Sequence, residues 1–438
     1  MTATFVALFC FLASWVGVAT QSVAMFLVLA WLILGLRSVD SKKLVHSYRS
    51  SIFSQMALIF GLVWVGLALM SSALNPWTSG ALPAFLGGYL WWALGPFTFA
   101  ALAGSLEDLD NFAAVDFARK FRRIAWILLI GASLIAASQY IYGWKLHGIQ
   151  VIPSEHRARI LFSHPLSLAY ILLLYVPLSV ALLLQHPRSR LILAVAGALL
   201  FLLFVSSSRS VQAVLALLGG VFVLFGLRGR LRLIAMGVFF SLGVLVATTD
   251  NPIRGRFIST LEQKEDRQQT RYADDRIAFW AVHWDMFMEK PLVGHGLSYR
   301  QDYLDRYYNA HGLMELEKKY PAHNLFLQIL VNTGVFGLLL WLARIGVDIA
   351  ACVYLIRGSD GVRGIFKSVG KHTRRSPVKW IGWVGLASIA GMLLAGLTQN
   401  AFQDSAVRFH WTILECLLLW FSGRQAGANE HIQVAKLM

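Results

Sequence analysis

Twelve long apolar runs constrain this chain more than any motif does. A helix needs roughly 20 residues to cross the hydrocarbon core of a bilayer. The runs at about 4–19, 22–37, 51–71, 81–102, 124–142, 162–184, 191–206, 210–227, 233–249, 324–345, 380–401 and 409–423 approach or reach that length within 438 residues. They are continuous rather than alternating, which selects helices over the strands of a membrane barrel. Composition agrees, since 57% of the residues are hydrophobic and only 14% charged, where a soluble domain carries about a quarter. The expected fold is an all-α polytopic membrane protein of about 12 transmembrane helices.

The links between the runs orient the chain. Basic clusters at Arg37/Lys42/Lys43/Arg49, Arg119/Lys120/Arg122/Arg123, Arg188/Arg190, Arg228/Arg230/Arg232 and Arg357 through Lys379 share one side, which the positive-inside rule makes cytoplasmic. Both termini fall there too. That side holds nearly all of the net charge of +16, so the basicity reads as attraction to anionic lipid, and no nucleic-acid partner is expected. Met1-Thr2-Ala3-Thr4 lacks a basic n-region, so the first run is expected to be a retained helix. Cys10, Cys352 and Cys416 lie inside apolar runs without metal-ligand spacing and read as packing residues.

The other side collects Ser71–Gly80, Gly143–Leu161, the turn Ser206-Ser207-Ser208-Arg209, a long polar segment at 250–323, and Gln399–Arg408. The chain thus divides into helices and short loops over 1–249, an external lid over 250–323, and three helices with a cytoplasmic tail over 324–438. Within the lid, Ile277, Trp280, Ala281, Trp284, Phe287 and Met288 recur at helical spacing, predicting the apolar face of a helix from about Asp274 to Lys290. Arg276, His283 and Lys290, seven apart, would line its rim. Such a helix either lies in the membrane interface with its cations on lipid headgroups or packs on neighbouring helices. A second helix is expected from Tyr299 to Lys319. Arg344 and Asp348, four apart near the inner end of the tenth run, read as an ion pair anchoring that end at the cytoplasmic interface.

Candidate chemistry sits on the external side. His323 directly precedes a transmembrane helix that Asn324 can cap, which sets an imidazole where a lipid-linked substrate presents its headgroup; the plainer reading is a residue that closes the helix end. Arg209 lies at the membrane edge and needs a partner or snorkels to the interface. With Arg276, Arg159, Arg254 and Arg256 it forms a set of guanidinium groups suited to phosphate oxygens. No outward acidic cluster resembles a metal site, so no metal and no cofactor is expected, and cations would stabilise a diphosphate leaving group instead. A lipid-linked glycan transporter would also need many spans and a basic external surface, but with charges along a path through several helices; a membrane scaffold would explain the spans and not the arginines.

Three blocks carry a family resemblance: the Ser208-Arg209 turn; Arg276 with Trp280, leading to Gly294-x-Gly296; and His323-Asn324, followed by Leu327-Gln328 and Thr333-Gly334-Val335-Phe336-Gly337. His164-Pro165 before Leu168-Ala169 is a fourth, with His164 where the family commonly has Asn. In these motifs and in topology the chain resembles the O-antigen ligase and polymerase superfamily. The resemblance implies a C-type glycosyltransferase architecture in the bacterial inner membrane, with a helical periplasmic lid and an active site facing the periplasm. It further implies an undecaprenyl-diphosphate-linked O-antigen glycan as donor and lipid A-core oligosaccharide as acceptor, with membrane lipid around the body. His323 would be catalytic, and Arg209 and Arg276 would hold the diphosphate, with Arg159, Arg254 and Arg256 as weaker candidates. The short C-terminal tail suits the ligase branch; a polymerase using the same donor is the alternative.

Overall fold

In the computed structural model the described residues are 52–76, 78, 93, 111–147, 150–153, 158–160, 162, 165–185, 188–227, 229–249, 254, 275–313, 321–357, 377–400, 404, 407–419 and 421–422. The expected runs at 4–19, 22–37 and 81–102 lie outside them, Ala93 excepted. Helix α1 covers Ile52–Leu74 and α2 Asn111–Tyr142. A hairpin of β1 (Trp144–His147) and β2 (Gln150–Pro153) follows. Then come α3 (Pro165–Gln185), α4 (Arg190–Ser206), and α5 (Arg209–Val221), which runs on into a π turn at Phe222–Gly226. Helix α6 covers Gly229–Thr248, α7 Asp275–Glu289, α8 Gln301–Ala310, α9 Leu325–Arg357 and α10 Pro377–Gly396; α11 covers 407–419.

Five of these helices are long and apolar enough to cross a membrane. The protein is therefore a helical, multi-pass membrane protein. The expected all-α class needs one correction, the small hairpin in the link after α2. Gly143 ends α2 with φ of 65°, and the β-branched pair Val151-Ile152 favours the strand that pairs back on it.

Helix α9 is the centre of the body, packed on α1 and α10, while α3 joins α4 to α10. Trp64 of α1, Trp341 and Ile345 of α9, Met392 of α10 and Leu418 of α11 share one buried cluster. Lipid tails are as apolar as these side chains, so helix association rests on close packing and small residues. Gly385 shows this: a Cβ there would come within 2.5 Å of the Cys352 sulfur.

Arg344 and Asp348 do not lie at the end of their helix, which runs on to Arg357. Both are fully buried, with Arg344 Nη1 2.6 Å from Asp348 and Nη2 3.0 Å from Glu415 of α11. Trp411 Nε1 donates to the other oxygen of Glu415 at 2.8 Å. The expected i,i+4 pair exists, but a third charge from a second helix lets all three groups leave water together.

Helix α9 is interrupted at Gly334, whose φ of 67° and ψ of −170° no helix contains. The carbonyls freed by the interruption accept from the incoming loop after α7: His295 N donates to Val331 O at 2.7 Å and Gly296 N to Asn332 O at 2.8 Å. In return Val335 N donates to Pro291 O at 2.8 Å. The break bends the helix sharply. Gly382 of α10 lies against Cys352 and Ile356, and Gly396 lies against Leu325; α10 covers that interval in about 21 Å, where a straight α9 would need about 45 Å. The half-helix Leu325–Thr333 therefore lies across the end of the bundle, and the end of α1 meets it, with Ser71 Oγ donating to Asn332 O at 3.1 Å.

Candidate functional site

The bend delivers the start of α9, the ends of α4 and α10, and the starts of α3, α5 and α11 to one face. His323 occupies the turn into α9 with φ of 48°, a left-handed conformation uncommon for residues with a side chain. Asn324 holds that turn twice. Its Oδ1 accepts from Leu327 N at 3.1 Å, which caps the helix, and its Nδ2 donates to Leu397 O at 3.1 Å. The half-buried imidazole of His323 meets Gln399 Oε1 through Nδ1 at 2.9 Å and the ring of Phe279 at 5.5 Å between centroids. Burial, followed by the charge of Arg276, holds its pKa below the ordinary histidine value, against the opposing bond to Gln399.

Arg276 projects from the first turn of α7, exposed, and its charge acts on both His323 and Tyr170 of α3. Tyr170 donates to Ala395 O at 2.8 Å, and Ser210 lies near its hydroxyl. Ser210 adjoins Arg209. That arginine opens α5 immediately after a turn in which Ser207 takes φ of 52° to end α4, and Gln212 Nε2 ties the turn back to Leu203 O at 3.2 Å. Arg276 and His323 are thus together, and Arg209 is one residue from the hydroxyl that extends the group.

Arg159 is set against the same end of α4, because Ala158 N donates to Val205 O at 2.9 Å. Gln139 of α2 holds its backbone: Oε1 accepts from Arg159 N at 3.0 Å and Ile160 N at 2.8 Å, and Nε2 donates to Ile160 O at 2.9 Å. The side chain is buried, and that burial lowers its pKa. Arg254 is half-buried in a stretch where it alone is described; Arg256 and His164 lie outside the described residues.

Two expectations about the lid are corrected. Helix α7 buries Ala278, Phe279, Val282, His283, Met286 and Phe287, while Ile277, Trp284 and Met288 of the expected apolar face are exposed. The helix is apolar around most of its circumference, so periodicity alone leaves open which side meets protein. His283 leaves the expected rim as a result. Its Nδ1 donates to Phe279 O at 2.8 Å, and burial pushes its pKa down to about 4. The second helix is shorter than expected, since α8 ends at Ala310 and Gly312 follows with φ of 70°; residues 314–319 of the expected helix lie outside the described residues.

Sequence reasoning missed Gln139, Gln399, Tyr170 and Ser167, the last of which donates to a carboxylate oxygen of Asp404 in the link before α11. The available signal was a lone amide or hydroxyl within or just after an apolar run, at the end facing the other loops. Among the described residues no three His, Cys, Asp or Glu side chains come together as a metal site.

An imidazole beside a guanidinium, at the mouth of a helical membrane body, is equipped to accept a proton next to an anionic group. No curated protein matches the chain. A family model described as O-antigen ligase matches residues 173–342, so over the interval that holds Arg209, Arg276 and His323 the chain is similar to the O-antigen ligase superfamily.

Proposed function

We propose that this protein is an O-antigen ligase of the bacterial inner membrane. It transfers a glycan from undecaprenyl diphosphate to a sugar hydroxyl of lipid A-core oligosaccharide on the periplasmic face. The observation that carries the reading is His323 set 5.5 Å from the ring of Phe279, which lies one helical turn from Arg276 on α7, on a segment that matches the O-antigen ligase family.

The diphosphate binds Arg276 and Arg209, whose guanidinium groups stay charged and match two phosphate oxygens at once. Arg159, Arg254 and Arg256 assist it. A buried guanidinium such as Arg159 also gains most from an anionic partner. The acceptor hydroxyl is a poor nucleophile, and His323 takes its proton as it attacks the anomeric carbon. The bond from that carbon to the diphosphate oxygen breaks as the new glycosidic bond forms, with inversion, and undecaprenyl diphosphate leaves against the arginines. No metal takes part in this scheme, because fixed cations meet the developing charge.

The test is transfer by the purified, reconstituted protein supplied with undecaprenyl-diphosphate glycan and lipid A-core. Loss of His323 in the Ala variant should reduce turnover by about 10²–10⁴-fold with donor binding kept. A base must be neutral, and burial favours the neutral form here. Activity should therefore rise with pH through a midpoint below the ~6.5 of free imidazole. A folded, donor-binding His323→Ala protein with normal turnover would refute the base. A product made from two donor molecules would identify a polymerase, and glycan crossing the membrane without transfer would identify a transporter.

A further inference from the structure

The contact between His323 and Gln399 determines more than the position of the ring. We infer that Gln399 is the positioning residue that fixes the His323 tautomer, holding the hydrogen on Nδ1 so that Nε2 presents a lone pair to the acceptor hydroxyl. The inference rests on the reading of His323 as the base, and deepens it.

Two residues on each side make the arrangement. Asn324 Nδ2 donates to Leu397 O at 3.1 Å, and next to it His323 Nδ1 meets Gln399 Oε1 at 2.9 Å. An amide oxygen only accepts, so the ring nitrogen facing it is the donor. The backbone carrying Gln399 is held as α10 winds down, since Leu397 N donates to Leu394 O at 3.2 Å, Thr398 N to Ala395 O at 3.1 Å, and Thr398 Oγ1 to the same oxygen at 3.2 Å. On the far side the left-handed backbone of His323 and the ring of Phe279 fix the imidazole plane. The ring is over-determined by three elements, α7, α9 and α10.

An amide in this place has a different consequence from a carboxylate. Gln399 orients the ring without a negative charge to stabilise imidazolium. The other groups acting on the ring are Arg276 and His283, both from α7, and the fixed charge of Arg276 opposes imidazolium. The base is thus kept neutral, and the proton it takes from the acceptor is readily released after transfer.

The test exchanges the amide for an acid of the same length and for an apolar side chain. In Gln399→Glu the new carboxylate should stabilise imidazolium and move the acid limb of the pH–turnover profile up by about one pH unit or more. In Gln399→Leu turnover should fall about 10-fold or more while the donor KM stays within about twofold, because the ring loses its tautomer and not its substrate. A merely structural glutamine would cost stability in Gln399→Leu and leave the turnover of the folded protein unchanged. An unshifted limb in Gln399→Glu, in a preparation where His323→Ala is inactive, overturns the role of Gln399 and leaves the base reading standing. Normal turnover in His323→Ala overturns both. Should the leucine variant fail to fold, the near-isosteric glutamate variant still decides the matter.

Discussion

Gly334→Ala should destabilise the protein although it touches no reacting group. The perturbation has two parts. Gly334 lies at φ of 67° and ψ of −170°, a region that residues with a Cβ enter at a cost of about 1–3 kcal/mol. A Cβ there would also fall inside the backbone of Leu292 and Val293. That backbone cannot retreat without breaking the hydrogen bonds His295 N to Val331 O, Gly296 N to Asn332 O and Val335 N to Pro291 O, at 2.7–2.8 Å, each contributing about 0.5–1.5 kcal/mol. Together the effects amount to about 3–6 kcal/mol. A control lies in the same helix: a Cβ at Gly346 would have nothing within 4 Å, and Gly346→Ala should be neutral or stabilising by up to about 1 kcal/mol. Thermal unfolding in detergent separates the two, with a fall in Tm on the order of 10 °C for Gly334→Ala and none for Gly346→Ala. Equal stability of both variants would show that the break in α9 is not an obligatory feature.

Two further outcomes follow from the charges. Arg276→Ala and Arg209→Ala should each weaken use of the diphosphate donor by about 10-fold or more, and lysine should restore little where two oxygens are held at once; normal donor kinetics in both alanine variants would remove them from the diphosphate site. Arg344→Ala strands Asp348 and Glu415 as buried carboxylates without their cation and should lower stability by about 3–5 kcal/mol, whereas replacing all three by apolar residues of similar volume should recover most of it, as read by thermal unfolding with donor affinity unchanged.

The helices were legible because their signal is local. A run of apolar residues bounded by charge says where a membrane helix begins and ends, and α1, α3, α4, α5 and α10 follow the expected runs to within a few residues. Helix α9 did not. The run ending at about 345 continues to Arg357, because Arg344 and Asp348 look like a boundary until they are seen paired inside the body, with Glu415 from far off in sequence on the second guanidinium nitrogen. The candidate site was legible by residue type and illegible by arrangement. His323 stood out by preceding a span, and Asn324 caps α9 as its position implied. Gln399 and Tyr170 reach the site only through tertiary contacts that no spacing encodes. Helix α7 shows the limit plainly: lipid and protein both accept apolar side chains, so the periodicity that marks a helix in water loses its power to say which face is inside.

The glycines of the resembling motifs gain a physical meaning from the break. Gly294 takes φ of 69° and its Cβ would meet the Asn332 carbonyl carbon at 2.5 Å; Gly296 takes φ of 94° and its Cβ would meet Ser72 Cα at 2.7 Å. With Gly334 they let one loop thread between α1 and the two halves of α9. Asn75 Nδ2 then donates to His295 O and Ser72 Oγ accepts from Leu297 N at 2.9 Å, so the loop is held from both sides. Arg276 lies on the helix that leads into this loop, and His323 lies at the head of the half-helix that the loop bends aside. The relation of guanidinium to imidazole is therefore set by backbone hydrogen bonds at the far end of both elements, more than a full helical turn from either side chain. Flexible external loops would let the two groups drift apart. Anchoring their supports in the break of a central membrane helix gives α7 a fixed register on the bundle, which the proposed alignment of a diphosphate with an acceptor hydroxyl would require.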